Sequence, residues 1–221
     1  MRSVDVLIPA RGNSERIIAK NLLQFAAGQT LLELAISDGK RISNRVVVSS
    51  DNPAILQEAE KHGAIAIERP AHLATSTSPT IDTIKHHVRQ GDLEADCIAL
   101  LQCTTPMRAM HLIELKLPHF LSGHYDCGMA VIEFTGFYHD QHGPLNREWS
   151  SRPRTQEVRP IYLDDGSFFI FSRKAILSHR DYVWPGAFMF IKPFGLDIDT
   201  EEDANLAKYY AQYEAAHENH R

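Results

Sequence analysis

Residues 4–21, VDVLIPARGNSERIIAKN, decide the fold. The first six form an apolar run of strand length that ends at a proline. A loop with Gly12 and the basic residues Arg11, Arg16 and Lys20 follows at once. A buried strand that ends in a basic, glycine-containing loop is typical of an α/β sheet that binds a polyanion, although an ordinary basic turn has the same pattern.

Apolar runs of strand length alternate with helical segments along most of the chain. The predicted strands are 4–9, 45–49, 64–68, 96–102, 127–133 and 167–171, and the predicted helices are 31–43, 52–62, 80–90, 112–121 and 201–214. Thr200 and Asp203 resemble a capping box at the start of the last helix. This alternation predicts a doubly wound α/β fold with a mostly parallel sheet.

Residues 135–165 depart from this pattern. His, Gly, Pro, Asn and Arg dominate there, and the helical period disappears. The segment could be a disordered loop, a lid or a small lobe that packs on a partner, and its length disfavours a plain connection. We expect one domain over residues 1–221 with this excursion inserted at about 135–165.

Composition excludes several classes of protein. The formal net charge of −5 argues against general nucleic-acid binding. The three cysteines have neither CxxC spacing nor an even count, which disfavours a disulfide framework or zinc site and favours a reducing cytoplasm. No apolar run approaches a membrane span, and Asp5 and Pro9 interrupt the first run too early for a signal peptide.

Ligands of open α/β sheets lie beyond the carboxyl ends of the strands, so the polar residues there are the candidates for a site. They are residues 11–20, 49–51 and 102–108, with Asp197 and Asp199. The two aspartates alternate, so on an extended strand they share one face, as a magnesium site requires. A solvated edge strand or a helix cap would show the same pattern. Neither GxxxxGK[ST] nor GxGxxG is present.

Five motifs along the chain match those of one protein family. PARGNSERIIAKN at 9–21 is similar to the family's PARGGSKRIPGKN, and RPAHLA follows at 69–74. LLQCTTPMR at 100–108 resembles LLQPTSPLR, and DDGSFFIF at 164–171 resembles NGAIYI. LDIDTEEDANLA at 196–207 resembles IDIDTEEDWELA. The motifs keep the family's order over nearly the whole chain, which therefore resembles the acylneuraminate cytidylyltransferases.

The resemblance implies a Rossmann-like nucleotidyltransferase fold in which the excursion is a small dimerisation lobe. It implies a homodimer that uses Mg²⁺ to transfer CMP from CTP to a nonulosonic, sialic-type sugar acid, with release of pyrophosphate. Such a reaction needs cations and fixed donors, because the nucleophile must approach a highly anionic triphosphate.

Roles carry over by motif. Arg11, Lys20 and Asp199 are the expected catalytic residues, and Asp197 with Asp199 would hold the metal. The expected substrate-binding residues are Asn21, Arg69, Gln102, Arg154, Asp165 and Phe169. Arg154 could reach the sugar carboxylate or the partner subunit's site, or form a salt bridge, and Arg108 is expected to bond its own loop. Of Phe168 and Phe169, at least one should be core, because alternate strand residues face opposite ways.

The chain also departs from the family pattern. Ile18 and Ala19 replace the Pro-Gly of the first motif, Ser76 stands where many relatives have aspartate, and Cys103 replaces a proline. Asp165 replaces an asparagine where the sugar should be recognised. These differences leave the acceptor open among N-acetylneuraminate, its deaminated form KDN, legionaminate, pseudaminate and KDO. They also keep open an inactive nucleotide-binding homologue.

Overall fold

The predicted α/β fold is confirmed by the computed structural model, which describes residues 1–12, 20–26 and 28–217. Seven strands form one sheet in the order β3-β2-β1-β4-β8-β5-β9, and two more form a small hairpin. The strands are β1 Val4–Pro9, β2 Val46–Ser50, β3 Ile65–Glu68, β4 Cys97–Leu101, β5 Cys127–Phe134, β6 His139–Asp140, β7 Gly143–Pro144, β8 Ile161–Ser172 and β9 Phe188–Lys192.

Six α-helices accompany the strands in the described part of the chain, and caps of α2 and α6 follow from the sequence. They are α1 Leu31–Ile42, α2 Pro53–Lys61, α3 Thr80–Gln90, α4 Met110–Leu121, α5 Arg173–Ile176 and α6 Glu201–His217. Asn52 Oδ1 accepts from the amide of Ala54 at the start of α2. At α6 the amide of Asp203 donates to Thr200 Oγ1, and the Asp203 carboxylate accepts from the amide of Thr200. The predicted capping box is therefore present.

The sheet is parallel except around β8. Strands β1 to β4 pair in parallel, and β5 pairs in parallel with β9. Strand β8 runs antiparallel to both β4 and β5. Because the carboxyl ends of β1, β2, β3 and β4 meet at one edge, the loops after them converge there.

The apolar core lies on both faces of this sheet. In β1, Val6 and Ile8 pack in one buried cluster, whereas Leu7 packs in the other. Coverage on both faces explains why this strand reads as a nearly continuous apolar run. None of the helices in the described ranges is long and apolar enough to cross a membrane.

Several elements differ from the sequence predictions, and neither the hairpin of β6 and β7 nor helix α5 was predicted. Strand β8 begins at Ile161, earlier than predicted, so the end of the excursion belongs to the sheet. Strand β9 was not predicted from its five residues. The segment that carries Asp197 and Asp199 is irregular rather than a strand.

Candidate active site

A cavity of about 370 Å³ opens at the carboxyl edge of the sheet. Most of the predicted site residues line its wall, although they come from distant parts of the sequence. Those residues are Arg11, Lys20, Asn21, Arg69, Gln102, Asp197 and Asp199. The parallel strands therefore gather these polar groups around one volume, as the end-of-strand reasoning predicts.

A salt bridge joins the two ends of the chain inside this cavity. Lys20 Nζ lies 3.1 Å from Asp199 Oδ1. The Lys20 side chain is 10% exposed, whereas that of Asp199 is 46% exposed. A lysine this enclosed is rare without a charged partner, and here its charge faces the cavity wall formed by the C-terminal segment.

The loop after β1 is held by side chains at both ends. Asn21 Nδ2 donates to the carbonyl of Arg11 at 2.9 Å, and the amide of Gly12 donates to Asp51 Oδ1 at 2.8 Å. A Cβ on Gly12 would lie 2.7 Å from Asn52 Cβ, so the close approach of Asn52 itself requires glycine. The departures at Ile18 and Ala19, and Arg16 with them, lie outside the described residues.

The acidic pair faces the cavity because the residue between its members is buried. Ile198 is 0% exposed, and its amide donates to the carbonyl of Thr104 at 2.8 Å. Asp197 and Asp199 flank this buried residue and both line the cavity, from an irregular segment that is bound to the loop after β4 rather than from the extended strand that the sequence predicts.

Desolvation raises the pKa of Asp197, and the neighbouring charge of Asp199 adds to this effect. A hydrogen bond from Thr104 and the charge of Lys20 oppose it. The two carboxylates bring two negative charges into a polar cavity, where Lys20 pairs with Asp199. A divalent cation would relieve that charge, and carboxylate oxygens are the ligands that Mg²⁺ prefers.

Arg69 is held rigidly beside the cavity. Its Nε donates to Ser49 Oγ at 3.1 Å and its Nη2 to the Ser49 carbonyl at 2.5 Å. Burial lowers the pKa of Arg69, the charge of Asp51 opposes that shift, and the guanidinium remains protonated.

Sequence reasoning missed a wall of hydroxyl groups on the other side of the cavity. These residues are Thr75, Ser76, Ser78, Thr80 and Thr83. Ser76 was noted only as a departure from the family pattern. The STSPT run at 76–80 is the signal that could have found the wall, since clustered hydroxyls supply both donors and acceptors to a polar ligand.

The backbone of Gln102 is held in place by a buried arginine. The Arg108 guanidinium donates to the Gln102 carbonyl, and its Nη1 donates to Asp38 Oδ2 at 2.8 Å. Arg108 is 1% exposed and has a structural role, as expected. Burial raises the pKa of Asp38, and the charge of Arg108 counteracts this shift.

Asp165 does not line the cavity. Its carboxylate lies 2.5 Å from Lys192 Nζ, and both side chains are at most 3% exposed. Its other oxygen accepts from Ser167 Oγ at 2.8 Å. The charge that replaces the family's asparagine thus has a buried cationic partner on β9, and we correct its assignment as a sugar contact.

Phe169 and Arg154 also lie elsewhere. Phe169 is 2% exposed and packs edge to face on Tyr182 in the core, so its assignment to the sugar pocket is corrected as well. Phe168 is buried in the other cluster. Arg154 is exposed at the start of a single helical turn in the excursion and does not line this cavity.

Comparison with known proteins gives a consistent result. The family model described as Cytidylyltransferase matches residues 6–215. A pseudaminic acid cytidylyltransferase of Campylobacter jejuni is 29% identical over 228 residues, which cover 95% of this chain and 97% of the relative. An N-acylneuraminate cytidylyltransferase of Streptococcus agalactiae is 25% identical over 215 residues, which cover 89% of this chain and 50% of the relative.

Solved structures share the fold at lower identity. CMP:2-keto-3-deoxy-manno-octonic acid synthetase in complex with CTP superposes with a TM-score of 0.71 at 16% identity, covering 96% of this chain and 99% of its own. The 4-diphosphocytidyl-2C-methyl-D-erythritol synthase of Anaerococcus prevotii superposes with a TM-score of 0.63 at 15% identity, covering 96% and 99%. At these identities the likeness concerns the fold alone.

Proposed function

Because the chain belongs to the cytidylyltransferase family, we propose that it transfers CMP from CTP to a nonulosonic sugar acid and releases pyrophosphate. The observation that carries this proposal is the meeting of Lys20 and Asp199 at 3.1 Å within one cavity. A cationic loop and an acidic pair on the same wall suit a ligand that brings both phosphates and a bound cation.

The chemistry asks the protein for charge and position more than for a nucleophile of its own. A hydroxyl oxygen of the acceptor attacks the α-phosphorus of CTP, the bond from that phosphorus to the bridging oxygen breaks, and pyrophosphate leaves. The proton of the attacking hydroxyl is released to solvent. Arg11 and Lys20 bind the phosphates and neutralise charge that would repel the acceptor. Arg69, Asn21 and Gln102 fix the nucleotide, which contributes through orientation.

We assign the metal to Asp197 and Asp199. The oxygen-only donors and the raised pKa of Asp197 fit a hard divalent cation, and Mg²⁺ is the ion that accompanies nucleoside triphosphates. Bound there, Mg²⁺ would neutralise phosphate charge and orient the α-phosphate.

The comparison with relatives suggests which sugar acid to test first as the acceptor. The C. jejuni pseudaminic acid cytidylyltransferase matches this chain over almost the full length of both proteins, whereas the S. agalactiae N-acylneuraminate enzyme matches over half of its own length. We therefore propose a pseudaminate-type acid as the first acceptor to test. The hydroxyl wall, which includes Ser76, supplies polar groups that can contact its substituents.

We further propose a homodimer formed through the excursion. Leu145, Trp149 and Leu163 are at least half exposed there, and apolar side chains of this size favour burial against a partner. Arg154 on the same excursion would then approach the partner subunit's cavity. The three cysteines are buried free thiols, which accords with a cytoplasmic location.

The test is pyrophosphate release in the presence of CTP, Mg²⁺ and one acid at a time from a panel. The panel contains pseudaminate, legionaminate, N-acetylneuraminate, KDN and KDO. Release that requires CTP, metal and one of the nonulosonic acids is the expected result. CTP binding without release in any mixture would instead identify an inactive homologue, and neither binding nor release would overturn the proposal.

A further inference from the structure

A hydrogen-bonded chain of side chains runs from Asp92, through the buried His87 and Ser49, to Arg69. His87 on α3 is 0% exposed, with Nδ1 2.7 Å from Asp92 Oδ2 and Nε2 2.7 Å from Ser49 Oγ. Ser49 is also 0% exposed, and its Oγ accepts from Arg69 Nε. Asp92 is the member nearest solvent, with a side chain 25% exposed.

The direction of each bond in this chain follows from donor chemistry. A guanidinium only donates, so Ser49 Oγ accepts from Arg69 and its own hydrogen is available to another acceptor. His87 Nε2 is the acceptor within reach. The Asp92 carboxylate only accepts, so it selects the His87 tautomer that carries hydrogen on Nδ1. Every hydrogen between Asp92 and Arg69 then has an acceptor.

Protonation of His87 would break this order. A hydrogen on Nε2 would have to be donated to Ser49 Oγ, and the serine hydroxyl hydrogen would lose its acceptor in a fully buried site. The charged groups around the ring act in both directions: Asp92 favours the imidazolium, while Arg69 and His86 oppose it. Desolvation is the largest influence and lowers the pKa of His87.

The order Asp-His-Ser is the order of a nucleophilic triad, but this arrangement is not one. Ser49 is completely buried, and both its side-chain and backbone oxygens bond Arg69. No ester or amide could reach its hydroxyl. The Ser49 carbonyl also accepts from the amide of Ala10 at 2.9 Å, so Ser49 ties Arg69 to the residue that precedes Arg11.

We propose that Asp92, His87 and Ser49 are positioning residues that hold the Arg69 guanidinium in the orientation in which it contacts the nucleotide. With Nε and Nη2 both bound to Ser49, the plane of the guanidinium is fixed at the wall of the cavity that Arg69 lines, and neither of these bonds uses Nη1. A planar fork fixed at two points presents its remaining donors in one geometry. This inference rests on the proposed function, because it takes CTP as the ligand of Arg69.

Two substitutions of His87 separate positioning from simple packing. His87→Leu keeps an apolar side chain of moderate size but offers Ser49 no acceptor. His87→Gln places an amide oxygen near the position of Nε2 and can still accept from Ser49. We expect His87→Leu to weaken CTP binding about tenfold, the cost of roughly one hydrogen bond, and His87→Gln to restore most of the affinity. His111→Leu, at an exposed histidine of α4 that does not line the cavity, is the matched control and should bind CTP as the wild type does.

The decisive comparison repeats His87→Leu in an Arg69→Ala background, with CTP affinity measured by titration calorimetry. If His87 acts through Arg69, the leucine variant has no further effect on affinity once Arg69 is gone. A tenfold loss that persists in that background would overturn the proposal. So would wild-type CTP affinity in His87→Leu, even if its melting temperature falls.

A spectroscopic measurement tests the hydrogen bonds of His87 independently of any ligand. In protein labelled with ¹⁵N-histidine, the His87 signals, assigned with His87→Gln, should report a neutral ring with hydrogen on Nδ1 at pH 7. Asp92→Asn should shift those signals. An Nε2–H tautomer or an imidazolium at pH 7 would refute the hydrogen-bond order. Failure of wild-type protein to bind CTP would refute the proposed function. The spectroscopic result would then decide by itself whether Asp92, His87 and Ser49 are hydrogen-bonded as described.

Discussion

Lys20→Met should separate catalysis from stability. Lys20 Nζ and Asp199 Oδ1 are 3.1 Å apart, a separation worth about 5 kcal/mol of direct attraction at an effective dielectric constant near 20 and about 1 kcal/mol in bulk water. Because the Asp199 side chain is 46% exposed, water can replace the lysine once it is removed. The free energy of unfolding without ligand should therefore fall by only about 1 kcal/mol.

The effect on turnover should be much larger, because a bound triphosphate displaces that water. Loss of one charge-assisted phosphate contact in such a site costs about 2–4 kcal/mol of transition-state stabilisation, or roughly 30- to 1,000-fold in kcat/KM for CTP. Pyrophosphate release measures the rate, and thermal melting measures stability. Lys61→Met is the matched control, since Lys61 forms a 3.0 Å ion pair with Glu58 outside the cavity. Wild-type kcat/KM in Lys20→Met would refute the assigned role, as would an equal loss in the control.

Three further substitutions or treatments have defined outcomes. Asp197→Asn should abolish metal-dependent turnover yet raise the melting temperature of ligand-free protein at pH 7, because the pKa of Asp197 is raised in the folded state and its ionised carboxylate therefore opposes folding. This gain in melting temperature should vanish as the pH falls through that pKa. An unchanged or lower melting temperature at pH 7 would contradict this reasoning. Asp165→Asn should lower the free energy of unfolding by about 3 kcal/mol in urea titrations, because Lys192 loses its buried carboxylate partner. Adding Lys192→Met to Asp165→Asn should recover part of this loss. Equal stability of the Asp165→Asn variant and the double variant would argue against the ion pair. Cys103, whose pKa is raised to about 12 by burial, should resist iodoacetamide at pH 7.5 in native protein and react once unfolded; rapid native labelling would show that the cavity wall is open there.

The sequence predicted the fold and much of the cavity for one physical reason. Continuous apolar runs such as β1 identify buried parallel strands, and the carboxyl ends of those strands must meet. The polar residues that follow them are therefore brought together, whatever their separation along the chain. The family resemblance is confirmed by the model that matches residues 6–215.

The errors arise where partners are remote in sequence. The family resemblance placed Phe169 among the substrate-binding residues, whereas strand alternation required only that at least one of Phe168 and Phe169 be core. Strand β8 is an interior strand, so both are buried, on opposite faces. Asp165 was expected to contact the substrate because it occupies the motif position of the family's asparagine, and its buried partner Lys192 lies on β9, a strand that the sequence did not predict. The contact between His87 and Ser49 joins a helix to a strand end that no local motif connects.

The most direct test of the site is a crystal structure of the protein with CTP and Mn²⁺ as a stand-in for Mg²⁺. Anomalous scattering locates the metal without ambiguity. We predict an Mn²⁺ ion directly coordinated by carboxylate oxygens of Asp197 and Asp199, with the triphosphate bound to Arg11 and Lys20 in the same cavity. A triphosphate bound elsewhere, or a metal far from both aspartates, would contradict the account.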